Sequence, residues 1–70
     1  MELRATHVMV VGLRISGRAA ARFLASRGAS LILTDTRSDV SKSDLPACRL
    51  HLGGEELAWL DDVDLVVVSP

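Results

Sequence analysis

The sequence predicts a three-layer α/β fold on a parallel sheet of about four strands, and three observations predict it. The apolar runs Val8–Val11, Leu31–Leu33 and Leu65–Val68 are continuous rather than alternating, as in strands buried on both faces. Between the first two runs lies an alanine-rich segment with apolar residues at helical spacing. Glycine stands where the first strand would turn into that helix and again where the helix would end. The resulting order is β-α-β-loop-β-α-β, and right-handed crossovers then give a parallel sheet with strands in the order 3-2-1-4.

His7–Val11 reads as the first strand, and His7 as an ordinary strand-start residue. Gly12–Gly17 is the turn. Gly12 permits a sharp bend, Ser16 is placed to cap the helix, and Gly17 sits where the helix must pass close to the sheet. The helix is expected over Gly17–Arg27, with Ala20, Phe23 and Leu24 inward and Arg18, Arg22 and Ser26 toward solvent. Gly28 suits its C-terminal cap. Ser30–Thr34 is the second strand and ends in Asp35-Thr36-Arg37. Ser38–Pro46 is a polar loop, with a helical turn possible at Ser43 and Asp44. Ala47–Leu52 is a short third strand that brings Leu50 and Leu52 inward, and Gly53-Gly54 turns the chain. Glu55–Leu60 is expected to form one or two helical turns, with Leu57 and Leu60 inward and Trp59 at the surface or against a neighbour. Leu65–Val68 is the fourth strand. This is a Rossmann-like arrangement, in which Gly12, Asp35 and Ser69 lie on one sheet edge, beside the crevice between strands 1 and 4.

At 70 residues, 49% apolar and 24% charged, the chain has the composition of a single globular unit. A formal charge of −1 offers no general attraction to nucleic acid or to an anionic membrane. Cys48 is the single cysteine, so neither an internal disulfide nor a cysteine-based metal cluster can form. A basic-then-apolar leader and an apolar run of about 20 residues are both missing, which makes the cytoplasm the default. Ordering 70 residues costs roughly 70–140 kcal/mol of backbone entropy, which so short an α/β piece barely offsets. The last strand also runs straight to the end, so the expectation is an N-terminal part of a longer protein.

The turn Gly12-Leu13-Arg14-Ile15-Ser16-Gly17 keeps the outer glycines of the dinucleotide fingerprint G-x-G-x-x-G but has Arg14 at the middle one. That position normally lets the backbone approach a pyrophosphate. Arg14 either obstructs this pose or supplies positive charge to another anion. Asp35 stands where NAD proteins hold ribose, and with Thr36 and Arg37 it suits a base as well as a sugar. Ser69 ends the fourth strand over the same crevice. No G-x-S-x-G, H-E-x-x-H or P-loop G-x-x-x-x-G-K-S/T occurs, so a catalytic nucleophile, a metal site and an ATP site are all unexpected. His51, Cys48 and the acidic residues from Glu55 to Asp64 read as structural or solvent-facing. A fragment of an NAD- or FAD-binding oxidoreductase and a non-catalytic nucleotide-binding module both remain open on these residues.

Together these segments resemble the N-terminal domain of the Mur ligases: Val10–Gly17, the helix Ala19–Leu24 with Arg27-Gly28, Asp35-Thr36-Arg37, and Asp64–Pro70. The resemblance covers nearly the whole chain, and the Asp-Thr-Arg triplet and terminal Ser-Pro are its more specific parts. It implies that residues 1–70 form an incomplete UDP-substrate-binding domain. A second domain would carry ATP and Mg2+, and a third would help receive the incoming amino acid. The nearest branch adds D-glutamate to UDP-N-acetylmuramoyl-L-alanine in peptidoglycan synthesis, through an acyl phosphate that the amine attacks. By resemblance Leu13, Arg14, Ile15 and Ser16 line the pyrophosphate loop, Asp35, Thr36 and Arg37 hold the uracil or its ribose, and Ser69 lies near the uridine and diphosphate. This segment alone would bind no cofactor and catalyse nothing. Its partners would be that substrate and the remaining domains of the same enzyme. The family usually has Gly-Leu-Gly where this chain has Gly12-Leu13-Arg14.

Overall fold

A computed structural model of the chain describes residues 2–54 and 57–69, with 57–59 described by their backbone alone. The elements are β1 (His7–Val11), α1 (Ile15–Ser26), β2 (Ser30–Asp35), β3 (Arg49–Leu52), a 3-10 helix (Leu57–Asp62) and β4 (Leu65–Val68). The strands form one four-stranded sheet in the order β3-β2-β1-β4, with every neighbouring pair parallel. This is the order expected from right-handed crossovers.

Register explains the continuous apolar runs. Val8 pairs with Leu31 and Val10 with Leu33, and all four are buried in one cluster with Leu13, Ala21, Leu24 and Val40. Met9 and Ile32, also paired, are 5% and 7% exposed. Alternate residues of a strand face opposite sides, so the central strands are covered on both. Backbone bonds tie β1 to its neighbours at its end: the Gly12 amide donates to the Thr34 carbonyl at 2.9 Å, and the Ser69 amide to the Val11 carbonyl at 2.9 Å.

Several details differ from expectation. Helix α1 starts at Ile15, not Gly17, because Arg14 takes the N-cap position with extended backbone (φ −81°, ψ −169°). No side chain caps it, so Ser16 is not the cap but lies within the first turn. The inward stripe is Gly17, Ala21 and Leu24. Phe23 falls beside that stripe and is 45% exposed, with the Arg27 guanidinium 5.1 Å from its ring centre. At the other end of α1 the Gly28 expectation holds. Gly28 is left-handed (φ 91°), its amide donates to the Ala25 carbonyl at 3.0 Å, and the Ala29 amide donates to the Leu24 carbonyl at 3.2 Å. This paired closure is the Schellman arrangement.

Ser43 and Asp44 form a turn without helix, and β3 begins at Arg49 rather than Ala47. The second helical segment is the 3-10 helix. Expectations for Glu55, Glu56 and Pro70, and for the side chains of Leu57 and Trp59, lie outside the described residues. Strand β4 is not buried on both faces. Leu65, Val66 and Val68 are 48%, 42% and 69% exposed, because β4 is the outer strand beside β1, and only Val67 packs against the core cluster.

Candidate functional site

The ends of β1, β2 and β4 meet at the turn that opens α1. Gly12 is left-handed (φ 96°), and a Cβ there would lie 3.2 Å from the Ser69 carbonyl oxygen. A Cβ on Gly17 would lie 1.8 Å from the Gly12 carbonyl oxygen and 2.9 Å from its carbon. Glycine is therefore required at both positions, at the first by conformation and contact and at the second by contact alone. Arg14 needs no such freedom, since its φ is −81°.

Asp35 locks the turn to β2. It is 6% exposed, and its Oδ2 accepts the Leu13 amide at 2.8 Å. Arg37 fills the remaining positions: its backbone amide and Nε donate to Oδ1 at 2.9 Å and 3.1 Å, and its Nη2 to Oδ2 at 2.8 Å. The Arg37 hydrogen bond, aided by the two backbone amides and opposed by burial, holds the Asp35 carboxyl well below the usual carboxylate range. Asp35 is thus a fixed anion whose oxygens are both used inside the fold. The same pairing raises the pKa of Arg37, whose side chain keeps 39% exposure. At the β4 side the Ser16 and Ser69 hydroxyls lie 2.7 Å apart.

Two adjoining cavities open over this edge. The smaller, about 240 Å³, is lined by Gly12, Arg14, Asp35, Thr36, Arg37 and Ser69. The larger, about 570 Å³, lies between the turn and the β2–β3 loop and takes in Leu13, Ile15, Ser16, Arg18, Val40 and Ser41. Arg14 and Arg37 line both. Every residue expected at the site therefore lines one cavity or the other: Arg14, Asp35, Thr36, Arg37 and Ser69 the smaller, and Leu13, Arg14, Ile15, Ser16 and Arg37 the larger. Cationic guanidiniums, hydroxyls and a helix N-terminus on one edge suit a phosphorylated ligand with a polar ring.

Sequence reasoning missed Arg18, Val40 and Ser41. Arg18 was expected in solvent, yet its side chain is only 16% exposed, because it folds back over the turn. Its position next to Gly17, in the first turn of the helix, was the available signal. Val40 is 8% exposed and pins a loop whose polar composition hid it. Among the described residues no group of three or more His, Cys, Asp and Glu is placed to hold a metal ion, and no helix is long and apolar enough to cross a membrane.

Residues 6–70 match the family model described as Mur ligase MurD-like, N-terminal domain. The chain belongs to this MurD-like family. Similar proteins include the UDP-N-acetylmuramoylalanine–D-glutamate ligase of Acidobacterium capsulatum, 43% identical with 100% of this chain and 16% of the relative covered. The ligase of that name from Anaeromyxobacter dehalogenans is 45% identical, covering 99% and 16%. The one from Desulfosudis oleivorans is 46% identical, covering 90% and 15%. The chain thus spans about 16% of the length of the first of these relatives. The matched residues include the turn Gly12–Gly17 with Arg14, and the family they match is a ligase family rather than an NAD- or FAD-binding oxidoreductase.

Proposed function

We propose that this chain binds the uridine-nucleotide part of UDP-N-acetylmuramoyl-L-alanine, for a cytoplasmic ligase that adds D-glutamate in peptidoglycan synthesis. The observation that carries the reading is the convergence of the turn, the Asp35-Thr36-Arg37 strand end and Ser69 on two cavities that share Arg14 and Arg37. The names of the relatives supply the substrate class.

In this reading the amides at the start of α1 and the Arg14 guanidinium receive the diphosphate. Thr36 and the exposed edge of Arg37 receive the uridine, and Asp35 holds Arg37 and Leu13 in place for it. The Ser16 and Ser69 hydroxyls exchange their mutual hydrogen bond for bonds to the ligand. The chain's contribution is to hold and orient the substrate. ATP and Mg2+ supply the activation of the substrate carboxylate when bound elsewhere in the parent enzyme.

The test is a proton–nitrogen correlation spectrum of the labelled chain, titrated with UDP-N-acetylmuramoyl-L-alanine and separately with NADH. Shifts at Ile15, Ser16, Thr36 and Arg37 with the UDP ligand alone are expected. Shifts with NADH alone would overturn the reading in favour of a dinucleotide site.

A further inference from the structure

We propose that Arg18 is a positioning residue for the diphosphate turn, acting through the peptide group of Leu13 and through the β2–β3 loop. The inference rests on the uridine-nucleotide reading above and deepens it.

Arg18 places one hydrogen bond from each of its three guanidinium nitrogens on backbone and loop. Its Nε donates to the Leu13 carbonyl at 2.9 Å, its Nη2 to the Ser41 carbonyl at 2.7 Å, and its Nη1 to the Asp44 carboxylate. Leu13 is therefore held from both sides, since its amide is already given to Asp35 at 2.8 Å. Its side chain is 1% exposed and adds a third anchor in the core. A residue clamped at amide, carbonyl and side chain has no freedom left, and Arg14 and Ile15 follow it directly into the start of α1. The same guanidinium holds Ser41 and Asp44 against the turn, and Ser41 lines the larger cavity with Leu13, Arg14 and Ile15.

One side chain thus sets both the direction in which the turn presents its groups and the distance to the facing loop. A planar fork with fixed donor directions is needed to reach these acceptors together; a lysine ammonium keeps the charge but cannot span them. Each of the three guanidinium nitrogens already has an acceptor within the fold, and Arg18 acts on the turn through the Leu13 peptide and the loop.

The experiment compares the wild-type chain with Arg18→Lys and Asp44→Asn, measuring affinity for UDP and for uridine by calorimetry, with thermal melting alongside. Arg18→Lys should weaken UDP about tenfold, the loss of roughly one charge-assisted hydrogen bond's worth of positioning, while uridine affinity stays within about twofold. Asp44→Asn, at an exposed position that keeps the Leu13 contact, should weaken UDP by a smaller factor of about two to three. It carries the test if Arg18→Lys does not fold. Wild-type UDP affinity in both variants overturns the inference. So does a parallel loss of UDP and uridine affinity, because a general loosening of the fold would affect both. A wild-type chain that binds neither ligand overturns the uridine-nucleotide reading itself, which separates the two failures.

Discussion

Gly17→Ala tests the close approach on which the site depends. In an ordinary helix interior this change stabilises by up to about 1 kcal/mol, because alanine loses less backbone entropy than glycine. Here the added Cβ would lie 1.8 Å from the Gly12 carbonyl oxygen, 2.9 Å from the Gly12 carbon and 3.3 Å from the Ser69 Cβ. Real Cβ contacts essentially never fall below 3.0 Å, so the helix or the turn must retreat by about 1.2 Å. Neither can do so cheaply. The obstructing atoms are backbone, and Gly12 is held by its bond to Thr34. Overpacking of this kind costs about 1–3 kcal/mol or more, which exceeds the propensity gain. With about 4–8 °C of melting temperature per kcal/mol in a domain of this size, a fall of several degrees is expected. UDP affinity should drop with it, since the turn is displaced. Thermal melting followed by circular dichroism measures the first effect and calorimetry the second. Gly54→Ala is the control: nothing lies within 4 Å of a Cβ there, and it should be near neutral. A Gly17→Ala chain that melts at or above wild type would refute the contact argument.

The remaining predictions concern charges. Asp35→Ala strands the buried Leu13 amide and should cost about 1–3 kcal/mol in denaturant unfolding, with weaker UDP binding because Arg37 loses its anchor. Asp35 also predicts an acid limit. Its folded pKa lies below the ordinary value of 3.8, so its contribution is fully present above that pH and is lost as the pH falls below it toward the folded value. The melting temperature of wild type relative to Asp35→Asn should therefore be constant from neutral pH to about 4 and shrink below. Arg14→Gly should lower UDP affinity and flatten its dependence on salt in calorimetry, since a cation lining both cavities is removed; a rise in affinity would mean that Arg14 obstructs. Burial raises the pKa of the Cys48 thiol, so iodoacetamide at about pH 8.5 should modify it more slowly than free cysteine, with the difference lost in denaturant.

Local chemistry made most of the sheet legible. Continuous apolar runs located β1, β2 and β4, and handedness ordered them, because burial on both faces leaves a direct mark on composition. Exposure was not legible in the same way. Val66 and Val68 look as buried in sequence as Val8 and Val10, and only the outer place of β4 sets them apart. Phe23 misled for a related reason. An aromatic side chain at helical spacing suggests core, but rotation of α1 is set by the glycine contact, and Gly17, Ala21 and Leu24 take the inward stripe. The site was legible as a set of strand ends, because topology alone brings Gly12, Asp35 and Ser69 together. Its internal wiring was not. That Asp35 spends both oxygens on Leu13 and Arg37, and that Arg18 reaches Asp44 across 26 positions, are facts of tertiary placement with no local signature.

Arg14 shows how the two levels join. By pattern it is a defect in a glycine turn. By geometry it carries no strain, because its backbone is extended and the left-handed residue is Gly12. The glycines that remain are those that steric contact demands, 12 and 17. The middle glycine of a dinucleotide turn answers to the ligand rather than to the fold. Its replacement therefore leaves the architecture intact and changes only what the turn presents, an exposed guanidinium shared by both cavities. Substitution at 14 should accordingly move affinity without moving stability, whereas substitution at 17 should move both. That contrast separates a residue that serves the ligand from one that serves the fold.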